Sequence, residues 1–418
     1  MSSLPTVLIF TYAEYGQANV NLATSYELAL AGANVYIASF PSLRPRISRL
    51  QELIDRHASR SSGKPPGTVI FRECKGITPP KEAVRKHGVN VASFPHPPGL
   101  SGALECYSKL DVIFFPWDQE EYLAAIENCK EIIAAIKPNV VLVDAIFRAA
   151  FDACELVGQK CMVMSPVGVK EVAVSVQPYL AAFWKYPVSV VRSIFDSSSS
   201  TNSHLVSLSS GFPFPLKWWQ VPLNIYLYIR LIIHIMTSPK LKKIRALRGS
   251  LGFKSLFGPK HYSGVTCVCP ALTEIDFPFA VIPENMLLCG PIVIPFDPLE
   301  ESDPALMKWL DNGPTVMINL GSHVLSDEKL AREMAGAFRI LLNYHDQQGS
   351  SNIQVLWKAK ASGDNQKVIN EIIGKEIKEG RVKVVAWLDA EPVSILQHPN
   401  VVCTVHHGGA NSFYEGVW

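Results

Sequence analysis

Residues 401–416 read VVCTVHHGGANSFYEG, an apolar run followed by two glycines and then by polar residues that begin a helix. Gly408 and Gly409 allow the backbone to approach a ligand closely. The free amides and the positive end of the helix favour a phosphate there. His407 can donate a hydrogen bond to the same anion, and Glu415 can accept two from sugar hydroxyls. The stretch therefore predicts a strand–loop–helix unit that binds an anion beside a sugar; the alternative is an ordinary glycine-rich turn.

The N-terminal part of the chain alternates between strand and helix patterns. Residues 7–10 form an apolar run, a helical pattern follows, Gly32 ends it, and residues 35–38 form the next run. The alternation continues with an apolar run at 112–115, helices near 120–136 and 147–156, and strands at 140–143 and 161–164. Such alternation predicts a doubly wound, mostly parallel α/β sheet.

A second α/β domain follows a linker. The 418 residues exceed one ordinary domain, and residues 290–304, GPIVIPFDPLEESDP, have the proline-rich, acidic composition of a linker. Further strands are predicted at 316–320, 355–357, 382–385 and 401–405. We predict Rossmann-like domains at 1–288 and 305–418, joined by residues 289–304 and facing a cleft. The second domain is short for a six-stranded sheet.

The middle of the chain changes character. Residues 165–260 are irregular and contain Trp218 and Trp219; such a segment lines an apolar ligand pocket, packs against the domain, or forms a lid. Residues 221–236, VPLNIYLYIRLIIHIM, are fewer than the ~20 needed to span a bilayer and include Arg230 and His234. They predict a helix packed on the domain; the alternative is peripheral contact with a membrane.

Composition excludes several classes of protein. A net charge of +2 gives no electrostatic footprint for nucleic acid. The nine cysteines are scattered, and most sit inside apolar runs, as Cys161 and Cys403 do. This predicts buried, reduced thiols in a cytoplasmic protein. The pair Cys267 and Cys269 has no second Cys/His pair at metal-ligand spacing, so we interpret it as strand packing and predict no metal site.

The pattern His-x-Gly-x-Asn-Ser-x-x-Glu at 407–415 resembles the donor-binding signature of the family-one UDP-glycosyltransferases, which have the GT-B fold of two Rossmann-like domains. Two other segments match in order, Trp387 in VVAWLDAEPVSIL and Gly321-Ser322 in INLGSH. The resemblance implies that a UDP-sugar is the co-substrate and that no other cofactor is needed. The resemblance implies that His407, Asn411 and Ser412 contact the diphosphate. It also implies that Glu415 contacts the ribose, that Trp387 contacts the uracil, and that Ser322 lies near the phosphates.

The catalytic loop of this family usually reads Gly-His-x-x-Pro, and its histidine deprotonates the acceptor with an aspartate behind it. Here the loop reads EYGQANVNLA, so Gln17 occupies the histidine position and cannot accept a proton at neutral pH. The aspartate corresponds to Asp144 in VVLVDAIFRAA. Asp144 or Glu14 is then the candidate base, adequate for a phenol or carboxylic acid at an ordinary pKa near 4. The alternative for Asp144 is a helix N-cap.

The resemblance implies inverting, metal-independent transfer of a hexosyl group from a UDP-sugar to a small apolar acceptor. No Asp-x-Asp sequence occurs, in agreement with that route. The family continues beyond this motif, whereas this chain ends at Trp418, about two turns into the helix. The sequence thus predicts a truncated second domain, weak donor binding and impaired transfer.

Two other functions stay open from the sequence. One is a non-catalytic remnant that binds small hydrophobic molecules or a partner, which Gln17 favours. The other is a sugar-nucleotide epimerase of related fold. An NAD-dependent oxidoreductase is disfavoured because no Gly-x-Gly-x-x-Gly follows residues 7–10.

Overall fold

The computed structural model describes residues 4–60, 65–76, 86, 88, 99–166, 169–188, 210–253, 264–320, 328–349, 352–359 and 364–418. The described residues form two compact units, one up to Ile292 and one from Val293 onward. Both units are α/β with parallel sheets, so the predicted fold class of two Rossmann-like domains is confirmed.

The first unit is built on a seven-stranded sheet in which every recorded pairing is parallel. Its strands are β1 (Thr6–Phe10), β2 (Asn34–Ser39), β3 (Val69–Glu73), β4 (Val140–Asp144), β5 (Cys161–Met164), β6 (Cys267–Cys269) and β7 (Met286–Leu288), in the order β3-β2-β1-β4-β5-β6-β7. The central strands β1 and β4 are buried, as expected for continuous apolar runs covered on both faces.

Helices connect these strands. They are α1 (Tyr15–Leu30), α2 (Arg44–Arg60), α3 (Leu100–Tyr107), α4 (Leu110–Phe114), α5 (Gln119–Ile136), α6 (Arg148–Val157), α7 (Lys170–Ala173), α8 (Ala181–Trp184), α9 (Val221–Thr237) and α10 (Pro239–Ser250). Local sequence explains the sharp ends of α5. Asp118 and Glu121 form a reciprocal capping box at its start, and Lys137 ends it in the left-handed region with φ of 52°.

The apolar run at 112–115 is not a strand. Residues Leu110–Phe114 form the short helix α4, so this run contributes nothing to the sheet, and β4 pairs directly with β1. A four-residue apolar run has too little periodicity to separate a buried strand from a buried helix.

The second unit has a four-stranded parallel sheet in its described part. Its strands are β8 (Thr315–Asn319), β9 (Gln354–Lys358), β10 (Val382–Val385) and β11 (Val401–His406), in the order β10-β9-β8-β11. The helices are α11 (Leu299–Ser302), α12 (Pro304–Leu310), α13 (Glu328–Gln347), α14 (Asp364–Lys378), α15 (Pro392–Leu396) and α16 (Ala410–Val417). Packing of α13 and α14 against β9 buries Phe338, Trp357 and Ile369.

Two cysteine predictions have opposite outcomes. Cys267 and Cys269 are buried in β6, which confirms their interpretation as strand packing. Cys403 is exposed, so its assignment as a buried thiol is wrong. It lies in β11, which in the described part of the chain is an edge strand paired with β8 and has incompletely covered faces.

Each sheet reverses its strand order at one place. In the first unit the reversal lies between β1 and β4, where Phe10 pairs with Val143. In the second it lies between β8 and β11, where Asn319 pairs with His406. Open α/β sheets bind ligands outside the carboxyl ends of the strands at such reversals. The residues that end or follow these four strands are therefore the candidate ligand-binding residues.

Candidate functional site

The carboxylate of Asp144 ends β4 and is buried at the first reversal. Its Oδ1 accepts a hydrogen bond from the backbone N–H of Ile146 at 3.1 Å, and its Oδ2 accepts one from the Thr11 hydroxyl at 3.2 Å. The N-cap of α6 is Phe147, so the interpretation of Asp144 as that cap is wrong. Asp144 instead stabilises the turn between β4 and α6.

Burial raises the pKa of Asp144 from 3.8 to about 7, while hydrogen bonds from Ile146, Thr11 and the Tyr12 backbone oppose that rise. Burial dominates because a carboxylate taken out of water loses hydration that a few hydrogen bonds only partly replace. A carboxyl group with a pKa near neutrality is better matched to proton abstraction at pH 7 than an ordinary aspartate.

Gln17 and Glu14 lie at the start of α1, and both are buried. The Gln17 carbonyl accepts a hydrogen bond from Asn21 Nδ2 at 3.0 Å, and the same Nδ2 donates to the Thr11 hydroxyl at 3.0 Å. A continuous hydrogen-bonded path thus runs from the Gln17 backbone through Asn21 and Thr11 to Asp144. The structure brings the predicted residues Gln17 and Asp144 to the same end of the sheet.

Tyr12 lies close to both carboxylates of this site. Burial, then the charge of Asp144, then that of Glu14 raise the pKa of the Tyr12 phenol well above 10. Its ring stacks on Phe147 with centroids 4.7 Å apart and an interplanar angle of 14°. Phe40 and Trp117 complete this buried aromatic cluster, which helps to keep Asp144 away from water.

Sequence reasoning missed Thr11 and Asn21. Thr11 is the first residue after β1, at the carboxyl end of a central strand. Asn21 is one helical turn beyond Gln17 and buried on the same side of α1. The available signal is the spacing of Gln17, Asn21 and Ser25 at intervals of four, which places three polar residues on one side of α1.

The second candidate site is the loop between β11 and α16, at the second reversal. Gly408 has φ of 74°, in the left-handed region, and its N–H donates to His406 Nδ1 at 3.1 Å. Gly409 is the N-cap of α16 and provides no side-chain cap. A Cβ added at Gly409 would lie 2.4 Å from His407 Nε2. Backbone conformation therefore requires the first glycine, and the position of the His407 ring requires the second.

The residues predicted to contact a nucleotide diphosphate and ribose lie on this loop and on α16. Asn411 and Ser412 occupy the first turn of α16, and Glu415 lies one turn later; these side chains and His407 are half-buried. Gly409 has no side chain with which to cap the helix, so the first amides of α16 can serve an anion. Ser322 lies outside the residues that the structure describes.

Trp387 follows β10 and leaves 47% of its surface exposed. Lys358, the last residue of β9, places its Nζ 4.1 Å from the centroid of the Trp387 ring. This is a cation–π contact, and it orients the ring. Sequence reasoning missed Lys358, although a lysine at the end of a parallel strand stands where ligands of such sheets bind.

The carboxyl edge of the second sheet thus carries a set of polar and aromatic residues suited to a nucleotide. Because its strands are parallel and in register, their carboxyl ends lie at one edge. The residues that end or follow the strands are Asn319, Lys358, Trp387, His406 and His407.

Comparison with known proteins gives a relative that matches nearly the whole chain. The chain is 33% identical over 423 aligned residues to the glycosyltransferase sdnJ of Sordaria araneosa, covering 99% of this chain and 78% of the relative. No family model matches the chain.

Solved structures share the fold at low sequence identity. A UDP-glucosyltransferase from Polygonum tinctorium superposes with a TM-score of 0.56 at 15% identity, covering 99% of this chain and 78% of that one. A Medicago truncatula protein in complex with UDP-glucose superposes with a TM-score of 0.55 at 14% identity and the same coverage.

Proposed function

Because the chain belongs to the family-one UDP-glycosyltransferases of GT-B fold, we propose that it transfers a hexosyl group from a UDP-sugar to a small apolar acceptor. The observation that carries this proposal is the loop at the second reversal. There Gly408 has a left-handed φ, and Gly409 lies against the His407 ring at the N-terminus of α16.

The second unit supplies the donor site in this proposal. The first amides of α16, His407, Asn411 and Ser412 hold the diphosphate, Glu415 accepts the ribose hydroxyls, and Trp387 stacks on the uracil. Two comparisons support a UDP-sugar as donor, since one structural neighbour is a UDP-glucosyltransferase and another binds UDP-glucose.

The first unit supplies the base. Asp144 accepts the proton of the acceptor hydroxyl while the acceptor oxygen forms a bond to the anomeric carbon. The bond from that carbon to the diphosphate breaks, and UDP leaves with its electron pair. A single displacement inverts the anomeric configuration. The positive end of α16 and His407 stabilise the departing charge, and the lack of an Asp-x-Asp sequence supports a route without a metal ion.

Neutral Gln17 favours a second candidate function, binding without catalysis. Gln17 is buried in the first turn of α1 and replaces the base that this family usually places there. A protein with this residue can retain ligand binding without turnover.

Calorimetry with UDP, followed by turnover assays with UDP-glucose and a panel of phenols, sterols and polyketides, tests both functions. We expect wild-type binding that His407→Ala and Trp387→Ala each weaken by roughly tenfold or more. His345→Ala is the matched control, because His345 lies in the last turn of α13, at the opposite edge of the sheet. Absence of UDP binding in a cooperatively folded chain would contradict the donor site. Binding without turnover on any acceptor would favour the non-catalytic function.

A further inference from the structure

Helix α9 has two apolar faces, and only one of them packs on the protein. Leu227 and Leu231 are buried in a cluster with Ala103, Tyr107 and Val188. On the opposite side lie exposed residues that recur at intervals of three and four, namely Tyr226, Ile229, Ile233 and Met236. That spacing places them on one stripe of the helix. We call these four residues the outer stripe. A helix on the surface of a water-soluble domain normally carries polar residues there.

Aromatic residues extend the exposed apolar surface at the start of α9. Trp218 is 81% exposed and Trp219 51% exposed. The Lys217 Nζ lies 5.1 Å from the centroid of the Trp219 ring. Exposed tryptophans beside lysines are typical of the interface between lipid and water.

A second apolar group is displayed beside α9. Asn224 of α9 donates to the carbonyl of Phe183 in α8 at 2.8 Å, so the two helices pack together. Immediately before α8, Tyr179 and Leu180 have φ of 57° and 54°, and both side chains are exposed. Two consecutive non-glycine residues in the left-handed region are strained. Because both side chains are exposed, their packing within this unit does not explain the strained backbone.

The charge of this region is one-sided. Between Ser210 and Phe253 there are seven lysines and arginines and no aspartate or glutamate. Arg248 is neutralised by Asp152, and Lys240 lies near Asp111, Glu121 and Asp118. Lys242 and Lys243 of α10 remain exposed. An apolar stripe on one helix and exposed lysines on the following helix are complementary to an anionic lipid surface.

The geometry points to one occupant: we propose that the outer stripe, with Trp218, Trp219 and the lysines of α10, docks this protein on an anionic membrane surface. The helix lies in the plane of the interface rather than across the bilayer. No single helix in the described part of the chain is long and apolar enough to cross a membrane. Trp218–Thr237 and Pro239–Ser250 reach the required length and composition only together, and they are bent by 58°. A second copy of the chain fits less well, because it would bring the same excess of positive charge against itself.

Vesicle flotation of the purified full chain tests the proposal. Vesicles of phosphatidylcholine alone are compared with vesicles that also contain phosphatidylserine. We expect binding that needs phosphatidylserine and weakens with salt. Lys242→Gln with Lys243→Gln lowers the affinity about thirtyfold. Ile229→Gln with Ile233→Gln lowers it about tenfold or more. The matched control is Ile340→Gln in α13, an equally apolar and 72% exposed residue of the other unit, which leaves binding unchanged.

A second readout does not depend on the folding of the stripe variant. Tryptophan fluorescence shifts to the blue when phosphatidylserine vesicles are added to the wild type, and Trp218→Phe with Trp219→Phe reduces that shift. Equal vesicle binding by wild type and a folded stripe variant overturns the proposal. So does a wild type that ignores vesicles but forms a dimer that Ile229→Gln with Ile233→Gln dissociates, because the outer stripe is then a protein interface.

Discussion

The hydroxyl of Thr11 donates a hydrogen bond to Asp144 Oδ2 across 3.2 Å and thereby joins the carboxyl ends of β1 and β4. Asn21 of α1 in turn donates a hydrogen bond to the Thr11 hydroxyl. Helix α1 therefore orients Thr11, which in turn orients the carboxylate of Asp144. The candidate base is thus held by the elements on both sides of the first strand-order reversal.

Activity is expected to depend on the protonation of Asp144. Because burial raises its pKa to about 7 in the free protein, the ionised form, and with it kcat/KM, increases as the pH rises through 7. Asp144→Asn removes the base, and we expect a loss of roughly 10²–10⁴-fold together with loss of this pH dependence. Initial rates from pH 5 to 9 measure both. The control is Glu14→Gln. If Asp144→Asn keeps the wild-type profile while Glu14→Gln loses it, Glu14 is the base.

The same pKa shift predicts that stability decreases as the pH rises, whereas activity increases. A folded-state pKa above the unfolded value means that protonation favours the folded protein. The contribution is fully present below about pH 4 and is lost as the pH rises through about 7. At about 1.4 kcal/mol per pKa unit, the free energy of unfolding of the wild type falls by a few kcal/mol over this range relative to Asp144→Asn. Urea unfolding of both proteins at pH 4.5 and 8 checks this, and a constant difference between them would contradict it.

The two glycines of the donor loop are expected to respond differently to alanine. Gly408→Ala places a side chain at φ of 74° and costs roughly 1–2 kcal/mol of stability. Gly409→Ala meets the far end of the His407 ring, which can move, so stability changes little while UDP affinity falls. Thermal unfolding and UDP calorimetry on both variants separate the effects. A Gly409→Ala variant with unchanged UDP affinity would show that the position of His407 is unimportant for binding.

Lys358 is expected to support the stacking surface of Trp387. The cation–π contact is worth about 0.5–1 kcal/mol at an exposed site, so Lys358→Met should weaken UDP binding by about two- to fivefold through a less ordered ring. Lys383→Met is the matched control, because Lys383 contacts the ring of Trp309 at 5.9 Å in the same unit, near the amino ends of the strands. Equal effects of the two substitutions on UDP affinity would argue against a specific role for Lys358.

Asp152 is expected to be a centre of stability in the first unit. It is fully buried, accepts two hydrogen bonds from Arg248 at 2.8 and 3.1 Å, and accepts one from the Tyr122 hydroxyl at 2.6 Å. Asp152→Asn leaves buried guanidinium charge without its counter-ion and should cost about 3–5 kcal/mol. Glu73→Gln, which breaks the exposed pair with Arg44, should cost about 1 kcal/mol or less. Similar losses in urea unfolding would contradict the assigned role of Asp152.

Much of the fold could be predicted from local pattern. The predicted strand at residues 161–164 matches β5, because a short apolar run between turn residues leaves few alternatives. The prediction of a strand at 112–115 is wrong, because a run of this length does not distinguish a strand from a helix. The donor residues are predicted from the resemblance of residues 407–415, Trp387 and Gly321-Ser322 to the motifs of the family. The raised pKa of Asp144 could not be predicted, because it depends on burial, which results from packing between distant parts of the chain.

The ion pair between Asp152 and Arg248 also constrains how the chain is made. The two residues are 96 positions apart, so at roughly 5–20 residues per second Asp152 leaves the ribosome about 5–20 s before its main partner exists. During that interval Arg148, one turn away on the same helix, is available as a local counter-ion. The first unit therefore cannot complete its interior during synthesis until α10 has been translated, and an N-terminal fragment that ends before Arg248 would be a poor independent folding unit.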